Sequence, residues 1–263
     1  TNDAPADLTG TLVLSDQPIA AFGGHQVANV RSSDSFFADY LVEQLPPVRR
    51  WGREFFPVRS AGRLKGDTIR VVAGANGTDV MIDGLMVASL NLGQFYEGVI
   101  NGTASYIKTS KRSLVMQYAN SSDYDGVTQS DPFMVQVPPR PYFSKEHDFC
   151  TAPAGFDTHH VTVVVPSAAK ATVKLDGVAI GVPFVDIGAS GYAFGQKEIT
   201  AGRHVITADQ AAGVTVYGWS EYESYAWPAC LFFGDTTPPQ LLNCPTNDIV
   251  VTLTGSDIVG GNV

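Results

Sequence analysis

A strand, an Asp-Gly turn and a second strand occur twice in this chain, with the two turns 93 positions apart. Thr68-Ile69-Arg70-Val71-Val72 leads to Val80-Met81-Ile82-Asp83-Gly84, and His160-Val161-Thr162-Val163-Val164 leads to Val173-Lys174-Leu175-Asp176-Gly177. Asp-Gly between β-branched runs signals a tight hairpin, because both central residues of a type I′ turn take positive φ. Downstream, Ser113–Tyr118 corresponds to Gly213–Gly218, with the equivalent tyrosines 99 positions apart, so one copy carries an insertion of about six residues. Leu12–Phe22 echoes the segment that ends at Tyr118. The pattern predicts an all-β fold built from duplicated antiparallel β-sandwich modules of roughly 90 to 100 residues each.

Composition agrees. The chain has 26 Gly and 16 Pro, and only 16% charged residues against about 25% in ordinary soluble domains, a balance that favours strands and turns. Short apolar runs bounded by turn residues predict strands throughout, among them Thr11–Leu14, Pro18–Phe22, Tyr106–Thr109, Leu114–Tyr118, His204–Ala208 and Val214–Trp219. A helical spacing occurs once, at Phe36, Phe37, Tyr40 and Leu41, and predicts a short helix or helical turn near 35–44 with Ser33 or Asp34 as its cap. The prolines at 138, 139 and 141 cannot sit in a central strand. They divide a first module, 1–138, which includes the N-terminal hairpin and its proline corner, from a second, 139–234. Residues 235–263 are too few for a further domain.

The net charge of −9 and a pI near 4.9 exclude a nucleic-acid partner, since binding a polyanion needs clustered cations that release counterions. No apolar run approaches the ~18 residues that would insert in a bilayer. The N-terminal Thr1-Asn2-Asp3-Ala4-Pro5 lacks the features of a signal peptide, so a mature or trimmed chain is expected.

Asp39–Gly52 crowds unlike chemistry into one corner: an apolar run, Pro46-Pro47, then Arg49, Arg50, Trp51 and Arg53 close behind. The two prolines remove backbone donors and send the chain out extended. Guanidinium groups beside an indole suit an acidic sugar or a sulfate. On the other reading, Trp51 packs beneath the corner and the arginines pair with nearby carboxylates. Tyr222, Tyr225 and Trp227 are candidate sugar platforms, though the same alternation fits an exposed edge strand.

No catalytic spacing is found. His25, His147, His159, His160 and His204 lack zinc-site spacing, and neighbours in a strand face opposite ways. Ser190 misses the nucleophile-elbow pattern. Asp123, Asp125 and Asp131 offer hard oxygen ligands on a turn, which makes calcium the one candidate cofactor, or they form a solvated loop. Neighbours on one loop do not suit the paired carboxylates of a glycosidase. Of three cysteines, Cys150 and Cys230 flank one segment and are the expected disulfide, which leaves Cys244 over. Asn76, Asn101 and Asn120 each begin a glycosylation sequon.

Ser15-Asp16-Gln17-Pro18-Ile19-Ala20-Ala21-Phe22-Gly23-Gly24-His25, then Asp39–Val48 with Trp51-Gly52, resembles the N-terminal domain family of the mucus-type IgG Fc-binding proteins. Pro153–Phe156, Leu175–Gly177, Gly213–Gly218 and Tyr222–Ala229 resemble its bacterial and invertebrate relatives. Cysteines common in the family correspond here to Ala28 and Ala38, so one family disulfide is missing as a pair. Asp235–Pro245 with Asp248–Val251 is similar to the start of a hyalin repeat, an immunoglobulin-like module whose second cysteine would lie past Val263 and account for Cys244. The resemblance implies a non-catalytic extracellular adhesion or matrix module, secreted or at the cell surface, that binds glycans or glycoproteins. Fc binding need not travel with the fold. The alternative is a structural subunit of an extracellular filament or surface appendage, assembled by self-association through exposed strand edges.

Overall fold

A computed structural model of the chain describes residues 7–17, 19–31, 37–229 and 231. Strands β1 (Ala21–Ala28) and β2 (Asp39–Leu45) form a two-stranded antiparallel sheet. A seven-stranded sheet follows, made of β3 (Gly52–Phe55), β4 (Thr68–Ala73), β5 (Thr78–Ile82), β6 (Leu85–Leu90), β7 (Phe95–Val99), β8 (Ile107–Tyr118) and β9 (Met134–Gln136). Its order is β6-β5-β8-β4-β7, with β3 and β9 also paired to β8.

An eight-stranded sheet completes the fold. It contains β10 (Ser144–Cys150), β11 (Thr158–Pro166), β12 (Lys174–Leu175), β13 (Val178–Ala179), β14 (Val185–Asp186), β15 (Tyr192–Ile199), β16 (Arg203–Ser220) and β17 (Glu223–Pro228). Here the order is β13-β12-β16-β11-β15-β14, with β10 and β17 also on β16. The second order repeats the first, with β14 added at its edge beyond β15. The register repeats as well: Val71 faces Val115 and Val163 faces Val214, while Thr68 faces Tyr118 and His160 faces Tyr217.

In each copy one long strand serves both halves of the module. Ile107–Thr109 pairs with β5 and Ser113–Tyr118 with β4, so β8 carries the chain across a bend, and a core of Phe55, Ile69, Val71, Val80, Ile107 and Val115 fills the space between the halves. The bend is a bulge. Gly52 faces Ser113 but Glu54 faces Lys108, which leaves Arg53 opposite the four residues Thr109–Arg112. Ser144 faces Ala212 and Glu146 faces Thr207, which leaves Lys145 opposite Ala208–Ala211. Such bulges bend a strand and re-aim its side chains. The sequence reading splits each long strand in two at this point.

The proline corner is duplicated too. Pro46-Pro47 runs into a 3-10 turn, Val48–Arg50, and Pro138-Pro139 into another, Arg140–Tyr142. Trp51 N–H donates to the Val48 carbonyl, and Phe143 N–H to that of Arg140. Each ring then covers a glycine. A Cβ on Gly74 would lie 3.1 Å from the Trp51 ring, and one on Gly213 would lie 2.4 Å from the Phe143 ring.

Two expectations are corrected. Asp39–Leu45 is strand, not helix: Leu41 is buried while Tyr40 and Val42 are exposed, the alternation of a half-covered sheet; Ser35 and Phe36 lie outside the described residues. Residues 11–15 form no strand, so the echo at Leu12–Phe22 is not a further copy of the motif. The hyalin-like tail, 235–263, also lies outside the described residues.

The modules meet along a packed face. Phe56 and Val58 of the first touch Val164, Ile187 and Phe194 of the second, and Phe133 and Val135 touch Tyr217 and Trp219. Ala61 is clamped at both backbone atoms: its N–H donates to Tyr217 Oη at 2.9 Å and its carbonyl accepts from Trp219 Nε1 at 3.0 Å. Gln196 Nε2 donates to the Arg59 carbonyl at 2.9 Å. The cavity left at this interface holds about 30 Å³, room for roughly one water. Among the described residues no helix is long and apolar enough to cross a membrane.

Candidate functional site

The Asp39–Gly52 corner separates into a buried post and an exposed rim. Trp51 is half-buried, its Nε1 donates to the Pro46 carbonyl at 2.9 Å, and its ring packs against the core that Leu41, Val72 and Leu114 share. Its ring therefore supports the turn. Arg49 and Arg53 are exposed and Arg50 is half-buried.

The first bulge brings further cations to the same place. Gly74 N–H donates to the Arg112 carbonyl at 2.9 Å, and a Cβ on Gly74 would touch both that carbonyl and Val48, so Arg112 sits beside the 3-10 turn. Arg53 and Arg112 occupy the first positions past the Gly52–Ser113 pair, on the outward side. Thr109 Oγ1 donates to the Lys111 carbonyl at 2.8 Å and holds the bulge closed. Lys108 and Lys111 are also exposed, and Lys111 Nζ donates to the Asn76 carbonyl at 2.5 Å. Sequence reasoning missed Lys108, Lys111 and Arg112, because the run lies 55 or more positions from Arg53 and only pairing of β3 with β8 joins them.

The three aromatic candidates do not form one surface. Tyr225 is buried in the core of the second module, its Oη lies 2.7 Å from His159 Nδ1, and its ring stacks on Trp227 with centroids 4.4 Å apart. Tyr225 and Trp227 are thus packing residues. Tyr222 alone is exposed, at φ 54 in the β16–β17 turn, where its N–H donates to the Thr128 carbonyl at 2.9 Å.

The acidic loop is answered from within the protein. Arg63 is buried, its NH2 lies 2.8 Å from Asp125 Oδ1, and it also donates to Ser130 Oγ and to the Ser121 carbonyl. Asp125 Oδ2 accepts from Leu64 N–H at 2.8 Å and Lys65 N–H at 3.2 Å. Asp123 lies in the 3-10 turn Ser122–Tyr124. Asp131 faces elsewhere: burial first, then Asp39 of β2 and Glu223 of β17, push its carboxyl up to about 7, against the pull of Arg63. Among the described residues no three His, Cys, Asp or Glu side chains gather to hold a metal ion. Burial likewise pushes Glu43 up to about 7, with Gln136 N–H opposing.

Two of the three sequons stand on exposed turns, at Asn76 and Asn101. Asn120 is 1% exposed, its Oδ1 accepts from Thr68 Oγ1 at 2.6 Å and its Nδ2 donates to the Gly66 carbonyl at 2.8 Å, so the folded protein has no room for a glycan there. Cys150 is disulfide-bonded, and its expected partner Cys230 lies outside the described residues.

The fold and its surfaces define a two-module antiparallel β protein whose unabsorbed charged side chains lie on open surface. The chain belongs to the IgGFc binding protein family, whose model matches residues 3–218. It is similar to the human IgGFc-binding protein, 23% identical over 230 residues that cover 85% of this chain. The chain spans 4% of that relative's length. Two anti-sigma factor domain-containing proteins of known structure, one from Clostridium clariflavum, are each 12% identical to it. They cover 69% and 84% of this chain, over 84% and 93% of their own, with TM-scores of 0.19 and 0.20, too low to inform the fold.

Proposed function

We propose that this chain is a non-catalytic extracellular module that binds glycoproteins through open β surface. Family membership over residues 3–218 carries the reading, since the relative's name records binding to a glycoprotein, the Fc portion of IgG. Two observations support the extracellular setting: a disulfide at Cys150, a bond that persists in oxidising compartments, and exposed sequons at Asn76 and Asn101. Biolayer interferometry of the secreted, disulfide-intact chain against IgG Fc and against mucin-type glycoproteins tests it. Saturable binding to either at micromolar concentration is expected; silence towards the whole panel overturns it.

A second reading, a subunit of an extracellular filament, draws on exposed apolar residues at strand edges. Leu85 and Met86 of edge strand β6 are 72% and 62% exposed, and Phe22 and Tyr40 of the β1–β2 hairpin are each 61% exposed. Light scattering over a concentration series decides it, because a strict monomer at high concentration sinks the filament.

A further inference from the structure

The two proline corners share a backbone and differ in surface, and the difference lies almost wholly in charge. In the first, Arg49, Arg50 and Arg53 stand on the turn and β3, and Lys108, Lys111 and Arg112 on the bulged part of β8 that pairs with β3. Strand register puts Pro141, Tyr142, Lys145, Thr207, Gln210 and Ala211 at the equivalent places in the second. Six cations in one copy thus correspond to a single one in the other, and the second bulge adds Asp209. The bend is the same in both, so the fold does not need the cations.

Nor do they serve as ion-pair partners. Among the described residues none of the six forms a salt bridge, although their neighbourhood includes two carboxylates. Glu54 faces Lys108, which adds to the pull of Tyr106 and Arg140 on its carboxyl, but its close partners are Arg140 Nε at 2.5 Å and Tyr106 Oη at 2.6 Å. Asp79 accepts from Ser89 Oγ at 2.8 Å. The six make up over a third of the 17 Lys and Arg of a chain whose net charge is −9.

We propose that this corner binds the sulfate esters of an anionic glycan. Exposed guanidinium forks at Arg49, Arg53 and Arg112 suit the paired acceptor oxygens of a sulfate group, and Lys108 and Lys111 add point charges beside them. A nucleic acid fits worse: its charges continue far past the patch over a chain of net charge −9, and Trp51, the one indole nearby, is half-buried with its ring packed under the turn. The exposed sequon at Asn76, whose carbonyl meets Lys111, lies at the rim, so a glycan attached there stands next to the incoming chain. The inference rests on the glycoprotein-binding reading only for its extracellular setting.

The test uses heparin as the probe, a purified polysaccharide absent from the Fc and mucin panel, so either idea can fail while the other stands. The full chain, with Asn76 unglycosylated, is passed over immobilised heparin at about 50 mM salt, with fully desulfated heparin and duplex DNA as competitors. Retention is expected, weakening as salt rises, with displacement by heparin far better than by either competitor. The variant Arg53→Ala with Lys111→Gln and Arg112→Ala, the last two being the second copy's bulge residues, is expected to lose about tenfold or more in affinity at an unchanged melting temperature. The reciprocal variant, Asp209→Ser with Gln210→Lys and Ala211→Arg, tightens binding by building a second cationic bulge. No retention, equal displacement by desulfated heparin or DNA, or full retention by the neutralised variant overturns the proposal.

Discussion

Asp83 and Asp176, 93 positions apart, make the same two bonds. Each backbone N–H donates to a carbonyl at the start of the long strand, that of Tyr106 or of Val205, and each Oδ1 accepts the N–H of that same residue, at 2.7 and 2.8 Å. Both take positive φ, 51 and 52, ahead of a glycine at φ 85 or 80. The carboxylate therefore ties the hairpin turn to the strand that crosses its module.

Replacing Asp83 by Ala removes that acceptor and puts a β-carbon residue without local side-chain bonding in the left-handed region, at a cost of about 2 kcal/mol. Asp83→Asn keeps an acceptor and tolerates the conformation, so it is nearly silent. Urea denaturation of the two variants checks this. Asp176→Ala costs more, because Asp176 Oδ2 also meets His204 Nδ1 at 2.7 Å, and the two Ala changes add.

Tyr217→Phe leaves the Ala61 N–H without its acceptor inside the module interface. A loss of about 1 to 3 kcal/mol is expected, and Gln196, which donates to the same hydroxyl at 3.0 Å, is disturbed with it. Trp219→Ala goes further and removes a ring stacked on Phe133 as well as the bond to the Ala61 carbonyl. Calorimetry is expected to show the single transition of the parent resolving into two as the modules uncouple.

Acid weakens the second bulge through His147. This side chain is 1% exposed and its Nε2 lies 2.9 Å from the Ala212 carbonyl and 3.2 Å from that of Ser144, the pair at which the register shifts. Burial holds its pKa down to about 4, against 6.5 in the unfolded chain. Between those values the unfolded chain binds a proton that the folded one refuses, so stability falls as pH drops from 6.5 to 4, by on the order of 3 kcal/mol. His147→Gln flattens that part of the profile in urea titrations.

Asp131 acts in the opposite sense. The folded protein keeps its proton up to pH about 7, whereas the unfolded chain gives it up near 3.8, so folding becomes less favourable as pH rises through that window. Asp131→Asn is expected to raise the melting temperature at pH 7.5 and leave it unchanged at pH 4, since Asp39 and Glu223 then face a neutral amide. A drop at both pH values would show that the carboxylate is needed for its bonds instead.

What the sequence disclosed was the part of the repeat that packing preserves. Val71 and Val163 face the same strand of their modules and must stay apolar, and an Asp-Gly turn tolerates few substitutes, so both copies kept them. Pro46-Pro47 and Pro138-Pro139 stand 92 positions apart and signal the second corner equally well, but Arg49 against Pro141 and Trp51 against Phe143 hid the match. The helix expected near 35–44 came from Phe36, Phe37, Tyr40 and Leu41, whose spacing suits a helix, while from Tyr40 to Val42 burial alternates as in a strand. Asn120 and Tyr225 read as surface residues because hydrogen-bonding groups give no sign of burial until the partners, Gly66, Thr68 and His159, are placed around them. The cationic corner was half visible, since register alone brings its other half to Arg53.

Seen as a scaffold, the duplicated bulge is a pair of interchangeable sockets. Four residues opposite one, anchored by a proline-led turn on one side and a buried ring on the other, can be rewritten in either module while the strand pairs that frame them, Gly52 with Ser113 and Ser144 with Ala212, stay in place. Engineering a bivalent reagent from this chain would therefore begin at Ala208–Ala211, by writing into the vacant copy whatever specificity the occupied one is found to have.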